Sequence, residues 1–241
     1  MKRLKRIALY GGTFDPVHVG HLTVAESLLK LFALDQILFV PAHVAPHKRD
    51  SAVTPAFHRY AMLTLATQQR DEFIVSAAEI NQPQRPYTVD TLSQFQAASG
   101  DTARLFFVMG ADSWEEITTW REWERVVSMT DQIVVTRPGY EISVAHVTTE
   151  VRERIVDLQG ANHTAVAKAL DTDGSTGKIF FTDAARVDVS ATAVRRAACG
   201  EGAHADLTTM VASSVANYIR KYRLYEGQYE PEFFNAGTHH G

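Results

Sequence analysis

Short apolar or β-branched runs recur along the chain with longer, helix-spaced stretches between them, and this alternation restricts the fold more than any other feature. The runs are RIALY (6–10), QILFV (36–40), EFIVS (72–76), RLFFVMG (104–110), DQIVVTR (131–137) and KIFFTD (178–183). They lack polar alternation, which suits strands covered on both faces, as in a parallel sheet. Between the first two runs, HLTVAESLLKLFAL places Leu22, Ala25, Leu28, Leu29 and Phe32 at helical spacing. Pro55 to Gln69 and Val89 to Ala98 read the same way. Strand, helix, strand in this order predicts an α/β fold with a Rossmann-like, doubly wound, mainly parallel sheet. Helices should cover both faces, and ligands should sit beyond the carboxyl ends of the strands.

The pattern predicts a single domain over 1–224. Residues 139–177 are less regular and are expected as an irregular insert, with TTEVRERIVDLQ a candidate helix and DTDGSTG a plain loop. A short helix after Ser190 and an amphipathic helix over SSVANYIRKYRLY should form a small C-terminal helical part, 189–224. The residues after Tyr225 show no period, so 225–241 is expected as a flexible tail.

With 241 residues, 45% of them hydrophobic, the chain can bury a substantial core. Its formal net charge of -4 provides no field to gather a long polyanion, so nucleic acid is not an expected partner and any anion site must be local. Cys199 is the sole cysteine, which rules out an internal disulfide and a thiolate metal cluster. The basic start MKRLKR is followed by an apolar stretch of only Ile7 to Tyr10, too short for a signal peptide, and no segment reaches membrane-spanning length. A cytoplasmic protein with no membrane partner is expected. Oligomeric state is not legible, and a homo-oligomer is compatible with the composition.

The chemistry concentrates in YGGTFDPVHVGHL, residues 10–22, directly behind the first strand. Gly11 and Gly12 suit a tight turn in which backbone N–H groups approach a ligand, and Thr13 can add a hydroxyl. Such a turn before a helix makes an anion cradle, because the first N–H groups of the helix lack partners and the peptide dipoles add positive potential. Pro16 biases Asp15 away from helical angles, so the helix should start near Val19 to Leu22, with His18 and His21 on one side of its mouth. Two imidazoles there suit phosphate oxygens. A zinc reading is weaker, since it wants a third ligand and a His pair four apart. The motif is neither a Walker loop, lacking Gly-Lys-Ser/Thr, nor the dinucleotide fingerprint, so kinase and dehydrogenase readings lose support.

A second candidate phosphate site is VSATAVRR, residues 189–196, after the last strand. Ser190 or Thr192 can cap a helix that carries Arg195 in its second turn, bringing hydroxyl, N–H groups and guanidinium onto one anion. An ordinary capped helix with a solvated arginine is the plainer reading of this stretch alone.

Together the two motifs resemble the signature of the H-x-G-H nucleotidyltransferases and their closing I-S-A-T-x-x-R element. Within that superfamily the chain is most similar to bacterial nicotinate-nucleotide adenylyltransferases, supported by PAHVAPHK (41–48), PYTVDTL (86–92), GADSW with TTWREWERV (110–126) and VVTRPGY (134–140). The resemblance runs from about residue 6 to about 224. It implies transfer of AMP from ATP to nicotinate mononucleotide, giving deamido-NAD and pyrophosphate in NAD biosynthesis, with Mg2+ carried by ATP and no metal held by protein side chains.

Residue by residue, the resemblance implies that His18 and His21 are catalytic and hold ATP phosphates, alongside Gly11, Gly12, Thr13 and Phe14. It places Ser190 and Arg195 on the triphosphate and Gly110 and Asp112 at the adenosine ribose. Thr88 would meet the nicotinate carboxylate, Trp120 would stack on the pyridine ring, and His47 with Lys48 would add positive charge. Ala45-Pro46 departs from the family's paired prolines, and Arg121 stands where an aromatic residue is usual. Arg121 is expected to favour a carboxylate over an amide. Plainer roles exist for several of these: Trp120 as core, Thr88 and Asp112 as helix caps, Lys48 as a solvated loop residue. The alternatives are the same chemistry on nicotinamide mononucleotide, phosphopantetheine or a cytidylyl-transfer acceptor, or a non-catalytic nucleotide-binding regulator.

Overall fold

The computed structural model describes residues 4–43, 53–136, 140–171, 177–184, 189–200 and 206–226. In chain order the elements are β1 (Lys5–Gly12), α1 (Val19–Leu31), β2 (Gln36–Pro41), α2 (Ala56–Thr67), β3 (Phe73–Val75), α3 (Thr88–Ser99), β4 (Ala103–Gly110), α4 (Ala111–Glu115), α5 (Trp123–Met129), β5 (Asp131–Val135), α6 (Thr149–Arg152), β6 (Ile155–Asp157), α7 (His163–Asp171), β7 (Ile179–Thr182), α8 (Ala191–Ala198), α9 (Leu207–Met210) and α10 (Ser213–Lys221). The strands form one sheet in the order β3-β2-β1-β4-β5-β7-β6, and every pairing is parallel.

The apolar runs lack alternation because both faces of the sheet are covered. Ala8 and Leu9, neighbours in β1, are both buried, yet they belong to separate cores on opposite faces. On one face Ala8, Phe106, Ile133 and Phe180 pack with α1, α2, α7, α8, α9 and α10. On the other, Leu9, Phe107, Val134 and Phe181 pack with α3, α4, α5 and α6. Phe32 at the end of α1 is fully buried with its ring 6.3 Å from that of Phe106 and 5.7 Å from that of Phe180. Burying a side chain of this size contributes about 1.5–3 kcal/mol. At the amino-terminal edge Asp131 is fully buried and accepts from Arg104 Nε at 2.6 Å and from the Lys178 N–H at 2.9 Å, tying β4, β5 and the entry to β7 together.

Within 139–177, the described stretch 140–171 is more regular than expected, and most of DTDGSTG lies outside the described residues. TTEVRERIVDLQ is helical only over α6, where the Thr148 side chain caps the helix, and then turns into the edge strand β6, paired with β7 from Ile155↔Ile179 to Asp157↔Phe181. Tyr225, at the expected start of the tail, donates from its hydroxyl to Asp15 Oδ1 at 2.8 Å. No helix among the described residues is long and apolar enough to cross a membrane.

Candidate active site

Strand order reverses at β1, which has β2 on one side and β4 on the other. In a doubly wound sheet the crevice beyond such a switch point is where ligands bind. Gly12 and Gly110, the last residues of β1 and β4, stand at that crevice.

Gly11 and Gly12 do not make the expected tight turn. They are the last residues of β1, in register with Val40 and Pro41 of β2. Their contribution is room: a Cβ on Gly11 would lie 3.1 Å from the Phe107 ring, and one on Gly12 only 2.9 Å from the Phe14 ring. Phe14, buried with φ of 49°, packs against Tyr10, Phe39 and His21, so its ring is committed to the core. The chain turns afterwards, at Asp15 and Pro16, and α1 opens at Val19 as Pro16 predicts.

His18 and His21 meet at the mouth of α1 with their rings stacked, centroids 3.7 Å apart. His18 N–H donates to His21 Nδ1 at 3.2 Å. That nitrogen is therefore an acceptor, and neutral His21 carries its proton on Nε2. Burial, reinforced by the neighbouring His18, holds the His21 pKa well below the usual imidazole range. Burial likewise lowers His18 to about 4. His18 Nδ1 is buried with no hydrogen-bond partner among the described residues. Placing the His18 proton on Nε2 leaves only a lone pair unmatched there, the less costly arrangement. Both rings are thus neutral N–H donors lining one cleft of about 350 Å3, in the size range of small-molecule sites.

The C-terminal motif folds against the first. Ser190 is the N-cap of α8, its hydroxyl accepting from the Ala193 N–H at 3.1 Å, which leaves Thr192 free to accept from Arg195 Nη2 at 3.3 Å. Arg195 Nη1 donates to the Asp15 carbonyl at 2.8 Å. Gly20 fits between the two motifs: a Cβ there would stand 2.9 Å from His18 Nδ1 and 3.5 Å from the Val189 carbonyl. The amino-terminal ends of α1 and α8 therefore adjoin one space, adding helix-end potential from two directions.

Gly110 and Asp112 line the same cleft as His18 and His21. Gly110, not Asp112, is the N-cap of α4. On the far side of the sheet Tyr87, not Thr88, is the N-cap of α3, with its N–H satisfied by Asp90 Oδ2 at 3.1 Å; Thr88 is the first helical residue. Trp120 packs edge-on to Phe107, whose ring covers Gly11, and its buried Nε1 has no partner among the described residues. The Arg121 guanidinium lies 4.7 Å from the centre of the Tyr87 ring, and both line a separate cleft that does not include the histidines. His47 and Lys48 lie outside the described residues.

Several contributors escaped the sequence reading. Tyr10 and Val189 line the cleft, and burial raises the Tyr10 hydroxyl pKa. Gly20 lay within the quoted motif, but its spacer role becomes visible only once the His18 ring is placed. Asp15, within the turn, and Arg59, in α2, are both buried. No periodicity distinguishes Arg59 from a solvated helical charge.

A sequence model of the cytidylyltransferase-like family matches residues 9–197. Among curated relatives, one from Thermoanaerobacter sp. (strain X514) is 34% identical over 94% of this chain and 97% of its own. One from Corynebacterium glutamicum is 32% identical over 93% and 90%. Both carry the name "Probable nicotinate-nucleotide adenylyltransferase". The chain belongs to the cytidylyltransferase-like family, within its nicotinate-nucleotide adenylyltransferase branch. The fold matches that of Plasmodium falciparum nicotinic acid mononucleotide adenylyltransferase complexed with NaAD, with a TM-score of 0.66 at 19% identity, covering 93% of this chain and 98% of that one.

Proposed function

We propose that the protein transfers AMP from ATP to nicotinate mononucleotide, releasing pyrophosphate and forming deamido-NAD. A phosphate oxygen of the acceptor attacks the α-phosphorus of ATP, a new P–O bond forms, and the bond to the β-phosphate oxygen breaks. No protein nucleophile is needed; alignment and neutralisation of the charge on the phosphates are. The observation that carries the reading is the stacked, neutral His18–His21 pair at the mouth of α1, beside the amino-terminal end of α8. Its Nε2–H groups are fixed donors for a polyphosphate, and they strengthen as charge shifts to the leaving pyrophosphate. Family membership and the names of the relatives support the acceptor.

On this reading Arg195 and the amino-terminal end of α8 flank the triphosphate, Gly110 and Asp112 adjoin the ribose, and Thr88, Trp120, Arg121, His47 and Lys48 serve the acceptor. Gly11 and Gly12 keep the strand end open, and Thr13 with Phe14 contributes main chain. Among the described residues no three His, Cys, Asp or Glu side chains gather as a metal cage. A magnesium ion would be held by phosphate oxygens and its own waters, supplying charge neutralisation there.

Pyrophosphate release from ATP and magnesium against a panel of nicotinate mononucleotide, nicotinamide mononucleotide and phosphopantetheine tests the proposal. Highest kcat/KM with nicotinate mononucleotide is expected. Turnover on another acceptor alone, or on none, overturns it.

A further inference from the structure

We infer that Arg59 is a positioning residue for the transfer, holding in register the main-chain segments on which the phosphate donors stand. The inference rests on the function proposed above. Arg59, in α2, is 1% exposed. A buried cation is costly unless its environment is built for it. Here every hydrogen bond among the described residues runs to a main-chain carbonyl: Nε to Thr54 at 2.9 Å, Nη1 to Thr13 at 2.6 Å, and Nη2 to Ala42 at 2.6 Å and His43 at 3.0 Å.

These carbonyls come from three places. Thr13 follows β1 and leads into the turn to His18, Ala42 and His43 leave β2, and Thr54 precedes α2. The planar fork of a guanidinium dictates the relative positions of the oxygens it binds, as an ammonium cannot. Thr54 is gripped from both sides, because its N–H donates to Asp15 Oδ2 at 3.2 Å. Asp15 in turn accepts from Tyr225 Oη through its carboxylate at 2.8 Å and from Arg195 through its carbonyl at 2.8 Å. One network thus links the turn carrying the histidines, the end of the adjacent strand and the arginine of α8. An apolar side chain of similar volume could serve stability alone as well or better. A guanidinium spread over four loop carbonyls at the crevice serves placement, and displacement of reacting groups by an ångström costs rate steeply.

The test uses the full chain carrying Arg59→Lys or Arg59→Met, assayed where circular dichroism shows each variant folded, with active sites counted by calorimetric stoichiometry. Expected are a fall in kcat per site of about tenfold or more for Arg59→Lys, a larger fall for Arg59→Met, and weaker binding of a non-hydrolysable ATP analogue by both. A purely structural role would lower the melting temperature and leave kcat per folded site unchanged. Folded Arg59→Lys with kcat and analogue Kd within twofold of wild type overturns the inference. Should Arg59→Met not fold, the double variant Arg59→Lys/Asp15→Asn decides. Losses smaller than the product of the single losses are expected, because both residues hold Thr54; multiplicative losses contradict a shared role. Wild-type protein inactive on every acceptor would overturn the proposed function instead, and the analogue-binding arm would still judge Arg59.

Discussion

The histidine cleft and the separate cleft beside α3 are built by opposite means. On the proposed phosphate side, His18 is 7% exposed, its ring is stacked on His21 and confined by Gly20, and a main-chain N–H selects the His21 tautomer. On the proposed acceptor side, Tyr87 is 48% exposed and Arg121 rests across it, with a loose 3.7 Å ion pair to Glu122. The difference teaches where precision is required. Donors to a charge that appears only during the reaction must be placed and uncharged beforehand, because reorganising them would raise the barrier. Recognition of a charge already present on the substrate tolerates side chains held by one or two weak contacts.

The sharpest way to break this contrast is His18→Ala. Loss of a donor that tightens in the transition state should lower kcat about 100-fold or more, on the order of 3 kcal/mol, with the fold intact by circular dichroism. A change under tenfold would remove His18 from the mechanism.

Acid should expose the same asymmetry in stability. His18 titrates at about 4 in the fold and near 6.5 when unfolded, so below pH 6.5 the unfolded chain binds the extra proton. The stability contribution is complete above about 6.5 and is lost as the pH falls towards 4, costing up to about 3 kcal/mol. Urea titrations from pH 7 to pH 4 on wild type and His18→Ala should show a shallower decline in the variant; parallel declines would show that burial of this imidazole is not coupled to stability.

Gly20→Ala tests placement without removing a donor. The added methyl group meets His18 Nδ1 at 2.9 Å, so kcat should fall about tenfold while the acceptor KM moves little. Unchanged kcat would mean the ring position is not critical. The smallest effect belongs to the exposed side: Arg121→Ala should reduce the preference for nicotinate over nicotinamide mononucleotide only several-fold, with kcat retained. An unaltered ratio of kcat/KM values would take Arg121 out of acceptor selection.

Legibility from sequence follows the same divide between local and tertiary causes. All six apolar runs contain strands: in the five inner ones two-sided burial imprints itself on consecutive residues, while β3 lies at the sheet edge with Ile74 exposed, and the start of α1 is readable from Pro16 alone. β6 was missed because three residues at the sheet edge, ending in exposed Asp157, carry no period, and the helix-forming residues before them dominate the reading. The tight turn expected at Gly11 and Gly12 fails for a related reason. A glycine pair after a strand suggests backbone freedom, whereas here the rings of Phe107 and Phe14 demand the space. Arg59 was invisible, since its four acceptors are carbonyls from three separate segments.

The central claim, that stacked neutral imidazoles at the mouth of α1 hold a polyphosphate against the amino-terminal end of α8, is tested most directly by a crystal structure with a non-hydrolysable ATP analogue. Phosphate oxygens within about 3 Å of Nε2 of His18 and His21, and beside the first N–H groups of α8, are predicted. A triphosphate bound away from both rings would contradict the account.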